Sequence, residues 1–269
     1  CPFMCTFCYW GMGGLNRKFS FHSIQRITQE FEWCGKNGIV YIFNADSNFG
    51  QHNRDMEIVD ALIKTKEKFG YPEKFRTCYG KNTDEKIYEI ARKMFENKLE
   101  KGITLSRQSN DKEVLKIIKR GNIKMSTYVN LQKKFNEADI PVYSELILGL
   151  PGETKKDMLE HAKKISELPI NTLKIHHLQI VKHTMMAKQF KDNPDFFTFM
   201  ELEEYIDLVV DFLELLNPDI IVERFFSESP AKMLIYPKYG LKNFEVKHLV
   251  EKRLEERNAI QGRLFQVSN

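Results

Sequence analysis

At 269 residues the chain is long enough for one large α/β domain, or for one domain with an extension. Hydrophobic residues make up 42% and charged residues 29%, a globular balance, and the sequence contains no apolar run long enough to span a bilayer as a helix. The net charge of +4 is only mildly basic, and Lys and Glu alternate through 81–101 and 112–134 as they do on solvated helix faces. Nucleic-acid binding is therefore permitted but not argued for.

In chain order, a cluster of glycines and aromatics from Tyr9 to Phe19 leads to a helix over Ser20–Lys36, closed by Gly38. A strand follows at Ile39–Ala45, a helix at Arg54–Phe69, a strand at Lys74–Tyr79 and a helix at Asp84–Asn97. Next come a strand at Gly102–Ser106, helices at Asp111–Lys119 and Ser126–Ala138, and a strand at Val142–Leu148. A helix over Thr154–Leu168 has Thr154 as N-cap and Asp157 three residues later, close to a capping box. Leu173–Val181 reads as the next strand. This β-α alternation predicts parallel strands joined by right-handed crossovers. The chain starts at Cys1 rather than at a methionine, so it reads as a piece of a longer protein. With one further strand upstream, the five strands make a partial TIM-type (β/α)6 barrel whose function sits on loops after the strand C-termini. From about Asn193-Pro194 the pattern changes to a long helix at Glu201–Leu216, a strand at Asp219–Phe226 and a charged helix at Asn243–Arg257. Residues 1–192 read as the barrel, and 193–269 as a C-terminal α/β extension packed on it.

Five cysteines, three of them within the first eight residues, do not read as a secreted disulfide framework. A reducing, cytoplasmic setting with a metal site fits them better. Cys1, Cys5 and Cys8 are spaced C-x3-C-x2-C, so three thiols converge from one tight loop. A four-iron cluster ordinarily takes four thiolates, and three leave one iron open, as catalytic metal sites require. The alternatives are zinc held with His22, a non-enzymatic zinc- or RNA-binding module, and a redox thiol cluster. Cys34 and Cys78 read as buried small hydrophobes.

The cysteine spacing, with Phe7 where an aromatic residue is usual, resembles the signature of the radical S-adenosylmethionine (SAM) superfamily. The resemblance implies a [4Fe–4S] cluster on Cys1, Cys5 and Cys8, with SAM chelating the open iron. It further implies reductive cleavage to a 5′-deoxyadenosyl radical, which abstracts hydrogen from a substrate. An electron donor such as flavodoxin or ferredoxin follows from the same chemistry. The segment Asn44–Gly50 stands where the family contacts the methionine amine through Gly-Gly-Glu, which is absent here. Asp46 and Asn48 are the candidates in its place, against an ordinary Asp/Asn turn. Thr104–Ser109 ends a strand where the family reaches the ribose and carboxylate, giving Ser106, Gln108 and Ser109 as candidates against a plain polar terminus. Glu145–Thr154 runs from a strand into a Gly-containing turn at Gly149 and Gly152. By itself this is a tight βα turn, and no phosphate-loop motif is present. Beside the cysteine loop it resembles the family's adenine-side strand, with Glu145 and Gly149 as contacts.

Two subfamilies are resembled. Cys1–Trp10, Ala45–Arg54, Thr104–Ser109 and Glu145–Glu153 are similar to radical SAM proteins that carry an upstream cobalamin-binding domain. His176–Thr184, Glu223-Arg224-Phe225 and Tyr236–Gly240 are similar to a subfamily related to the catalytic subunit of Elongator and without an assigned reaction. The two meet near Leu148–Glu153, which both groups share. The substrate is accordingly open between a small molecule and tRNA, and cobalamin is allowed through an upstream domain. No membrane partner is indicated, and neither an oligomeric state nor a catalytic side chain is specified. His176 and His177, adjacent in a strand, point to opposite sides, one toward the lumen as either a core residue or an acid–base group. Arg224 reads as a neighbour's ion-pair partner or an anchor for an anion, and Met185-Met186 as packing.

Overall fold

The computed structural model describes residues 1–10, 19–80 and 85–266. Most of the Tyr9–Phe19 cluster and the helix start expected at Asp84 lie outside them. In chain order the first elements are α1 (Ile24–Lys36), β1 (Tyr41–Phe43), α2 (Arg54–Phe69), β2 (Lys74–Arg76), α3 (Glu85–Glu96) and β3 (Ile103–Gln108). They continue with α4 (Lys112–Ile117), α5 (Met125–Glu137), β4 (Val142–Leu148), α6 (Lys155–Ser166), β5 (Thr172–His177) and β6 (Ile180–Val181). The last are α7 (Met185–Asp192), α8 (Leu202–Leu215), β7 (Ile221–Arg224), β8 (Leu234–Tyr236) and α9 (Asn243–Glu256). None of the described helices is long and apolar enough to cross a membrane. The chain divides into two compact units. One holds Cys1, Lys18–Leu105 and Asn122–Val142, the other Pro2–Arg17, Ser106–Gly121 and Tyr143–Asn269.

In the first unit, α1 begins where Ser23 Oγ accepts from the Arg26 N–H at 3.1 Å, later than the expected Ser20. α2 keeps its expected bounds. Asp55 in its first turn accepts from the Gly50 and His52 N–H groups (2.8 and 3.0 Å), and Gly70 closes it at φ 77°. α1 and α2 meet closely at Gly35, where a Cβ would stand 2.7 Å from Phe69 and 2.9 Å from Thr65. β1 and β2 pair in parallel, Tyr41 opposite Lys74 through Phe43 opposite Arg76. Both strands are shorter than expected. Asn44 ends the ladder by donating its N–H to Arg76 O (2.8 Å) and its side-chain amide to Thr77 Oγ1 (3.0 Å). Phe31 and Phe49 pack on Phe75 to make the core.

In the second unit, the sheet order is β3-β4-β5-β7, and the β4–β5 and β5–β7 pairs are parallel. The unit boundary passes through β3 and β4. Alternation along β4 puts half-buried Tyr143 and Glu145 on one face and buried Ser144 and Leu146 on the other. Thr154 and Asp157 form the full capping box of α6. α8 buries Tyr205, Leu208, Val209, Phe212 and Leu213, and α9 is tied to it by Arg253 with Glu203 and Asp207, and by Arg257 with Asp207 and Asp211.

Two sequence expectations are corrected. The single strand over Leu173–Val181 is two: after His177 the chain breaks at Leu178–Gln179, and Ile180–Val181 turns to pair antiparallel with β8. Gln179 is drawn out of strand geometry because its side chain donates to Ser227 O (3.0 Å) and accepts from Ser229 Oγ (2.6 Å). Cys34 and Cys78 are half-buried rather than buried, and burial still raises the Cys34 thiol above its ordinary pKa.

Candidate iron–sulfur and cofactor site

The cysteine loop of the second unit is fixed by its backbone. Thr6 has no exposed surface; its N–H donates to Ile118 O and its carbonyl accepts from Met186 N–H, both at 2.9 Å. Phe7 packs against the apolar cluster of Val114, Ile118, Ile147, Leu150 and Met186. Between these anchors the Cys8 N–H closes a turn on Cys5 O at 3.1 Å, with Cys5 buried and Cys8 half-buried. Apolar packing and two backbone bonds thus hold two thiols on one turn. Met186, expected as packing, is part of that support.

Sequence reading missed a third neighbour. Arg120 is buried, donates to Ser106 O at 2.5 Å, hydrogen-bonds Cys5, and lies within electrostatic reach of Cys8 and Glu145. Burial pulls its guanidinium below the ordinary pKa, and Cys5, Glu145 and Cys8 oppose that shift. Its sequence context, a Lys- and Arg-rich stretch, carries no signal separating it from a solvated face.

Cys1 belongs to the first unit, where its thiol lies 3.7 Å from Asn48 Oδ1. Asn48 is buried and donates to Ser47 Oγ at 2.7 Å. Asp46 is exposed, and its Oδ1 accepts from the Asn48 N–H at 2.8 Å, the Asp/Asn turn weighed above.

The ends of β3 and β4 gather Ser106, Gln108 and Glu145. Glu145 Oε2 accepts from Ser106 Oγ at 2.5 Å and from Gln108 Nε2 at 3.4 Å. Gln108 sits at φ 68°, a left-handed conformation that a side chain adopts only under constraint, and its buried Oε1 has no hydrogen-bond partner among the described residues. Gly149 follows at φ 86°, where glycine is required. Ser109 departs from the expectation of a ligand contact. It is fully buried, and its hydroxyl donates to Glu153 Oε1 (3.0 Å) and accepts from Asp111 N–H (3.1 Å). Glu153 also accepts from Leu150 N–H (3.0 Å) and contacts His161 Nε2 (2.9 Å), so this buried acid braces the Gly149–Gly152 turn from inside.

The two histidines diverge as expected. His176 hydrogen-bonds Ser227 through Nδ1 and holds Nε2 4.0 Å from Glu145 Oε1. Burial lowers its pKa, partly offset by Glu145. His177 stacks on Phe226 at 4.0 Å and takes a bond from Gln179; burial pushes it down to about 3, so it stays neutral. Tyr205 OH donates to Phe225 O at 2.5 Å, and with Gln179 it pins the segment that presents Ser227 to His176. Arg224 pairs with Glu223 at 3.2 Å.

No disulfide joins the described cysteines. Among the described residues, no three His, Cys, Asp or Glu side chains are gathered as a metal-binding set, His22 with the cysteines included. The fit to a cluster is one of donor chemistry: thiols on a braced loop, beside a buried cation that compensates thiolate charge, suit an anionic iron–sulfur group better than a closed four-ligand zinc site.

Comparison with known proteins agrees. The cobalamin-dependent radical SAM methyltransferase TokK of Streptomyces tokunonensis is 36% identical over 156 residues, 58% of this chain and 23% of its own. An uncharacterized protein of Methanocaldococcus jannaschii is 29% identical over 247 residues, 90% of this chain and 74% of its own. The structure of archaeal Methanocaldococcus infernus Elp3, with an N-terminal deletion, shares the fold at a TM-score of 0.63 and 16% identity, covering 88% of this chain and 60% of that one. The chain thus spans less than a quarter of TokK's length. The Radical SAM superfamily model matches residues 1–165 and the Radical_SAM C-terminal domain model residues 170–256. This chain belongs to the radical SAM superfamily, whose members use a [4Fe–4S] cluster and SAM.

Proposed function

We propose that the chain is the catalytic core of an enzyme that reductively cleaves SAM and uses the 5′-deoxyadenosyl radical for hydrogen abstraction. The observation that carries this is the braced Cys5–Cys8 turn with Arg120 against it, in a chain of this family. Cys1, Cys5 and Cys8 are the proposed ligands. When bound, the cluster supplies an open iron for SAM and the electron that breaks its sulfonium bond.

The chain's own residues do the rest. Phe7 and the cluster beneath it exclude water from the cysteine turn. Glu145, oriented by Ser106 and Gln108, is an acceptor for ligand hydroxyls. Gly149 lets backbone approach the cofactor, and Asn48 is the polar group beside Cys1. Asp46 stays a weaker candidate. Ser109 acts through Glu153 rather than on a ligand. His176, held by Ser227, faces the same side as Glu145 and is the proposed substrate-side contact. Residues 1–192 are the proposed barrel and 193–269 its extension; β7 beside β5 supports their close association. Flavodoxin or ferredoxin is the proposed electron donor, and the clustered Cys1, Cys5 and Cys8, which suit a reducing compartment, support a cytoplasmic setting.

The likeness to TokK, a cobalamin-dependent methyltransferase, favours cobalamin-assisted methyl transfer over tRNA modification. Binding of tRNA that falls steeply with salt would reverse that order. The test of the core reading is anaerobic reconstitution. Iron with brown cluster absorption is expected, with an electron paramagnetic resonance signal in the reduced state that changes when SAM is added. Cys5→Ala should lose both. Protein that takes up only zinc contradicts the reading.

A further inference from the structure

Arg120 is a buried cation set against the cysteine turn. Its place is set by backbone geometry. α4 ends at Ile117, Lys119 takes a left-handed φ of 51°, and the Arg120 N–H returns to Leu115 O at 2.9 Å. The same turn receives the cysteine loop, because Ile118 O accepts the Thr6 N–H. One guanidinium nitrogen donates to Ser106 O at 2.5 Å, which fixes the planar group. The guanidinium also hydrogen-bonds Cys5 and lies close to Cys8. Its hydrogen bonds to Ser106 O and to Cys5 thus tie a buried cation to a cysteine proposed as a cluster ligand.

We propose that Arg120 is a positioning residue for the cluster: it donates to the sulfur of ligating Cys5, and its fixed charge raises the cluster's reduction potential before SAM arrives. This rests on the reading of Cys5 and Cys8 as ligands. The physical reason is that reduction adds one negative charge, which a neighbouring buried cation and a hydrogen bond to sulfur stabilise.

The experiment compares reconstituted wild type, Arg120→Met and Arg120→Lys by iron content and by redox titration of the cluster without SAM. Full iron is expected in all three. In Arg120→Met the ratio of reduced to oxidised cluster at a fixed solution potential should fall about tenfold, or about 59 mV for a one-electron couple. Arg120→Lys should retain most of the wild-type potential. An unchanged potential in an iron-replete Arg120→Met protein overturns the proposal, and it is also the result expected of a residue that acts only on SAM. Should that variant not fold, Arg120→Gln takes its place, with the same shift expected and the same null result decisive. Wild type that takes up no iron fails the underlying ligand assignment instead, so the two failures are distinguishable.

Discussion

Replacing Glu153 asks whether the Gly149–Gly152 turn is held by its own buried acid. The side chain is fully enclosed and accepts from Ser109 Oγ and Leu150 N–H at 3.0 Å each, beside His161 Nε2 at 2.9 Å. Glu153→Ala strands three polar partners in an apolar interior. Each buried polar group left unsatisfied costs about 1–3 kcal/mol, and the three costs are not additive. We therefore expect a loss of about 3–5 kcal/mol. At roughly 2–4 °C per kcal/mol for chains of this size, the melting temperature falls by about 6–20 °C. Glu153→Gln keeps one acceptor oxygen but turns an NH2 toward a donor, for a loss of about 1–3 kcal/mol. Calorimetric unfolding should rank alanine below glutamine below wild type, and a double-mutant cycle with Ser109→Ala should show coupling. An alanine variant within about 1 kcal/mol of wild type would refute the reasoning.

His177, held neutral at a pKa of about 3 chiefly by burial, binds no proton in the folded state where an unfolded histidine does. Its stabilising contribution is complete above about pH 6.5 and is lost as pH falls toward 3, at about 1.4 kcal/mol per pH unit. His177→Phe should flatten that slope between pH 6.5 and 5 in denaturant titrations, and an identical slope counts against the assignment. Glu100, raised to about 7 mainly by burial beside Tyr79, favours folding below its unfolded pKa and opposes it as pH rises through 7. Glu100→Gln should therefore gain up to about 3 kcal/mol of stability relative to wild type at pH 8 but not at pH 4; a less stable variant at pH 8 would contradict this. Gly35→Ala places a Cβ 2.7 Å from Phe69, so overpacking of about 1–3 kcal/mol should outweigh the helix-propensity gain of about 1 kcal/mol. A melting temperature above wild type would show that α1 and α2 separate freely.

Local signals were legible in the sequence where local physics decides. α2 and β4 have their expected bounds because apolar periodicity, an acidic first turn and Gly70 all agree. The capping box of α6 followed from Thr154 and Asp157 alone. The β6–β8 pairing was hidden because it joins residues more than fifty positions apart, and α7 because its cap, Thr184, stands inside what read as strand and loop. Within the candidate site, the polar ends of β3 and β4 were visible as residue types. The division between Ser106, which faces Glu145, and Ser109, which is sealed against Glu153, depends on a left-handed Gln108 that no spacing announces. Arg120 lies in the 112–134 stretch that reads as a solvated face, and only the fold turns it inward onto the cysteine loop.

The most direct test of the central claim is product formation by anaerobically reconstituted protein supplied with SAM and a strong one-electron reductant. The account predicts that 5′-deoxyadenosine and methionine appear together, in equal amounts, and that both disappear in Cys5→Ala. Iron-replete protein that binds SAM under reducing conditions yet releases neither product would contradict it.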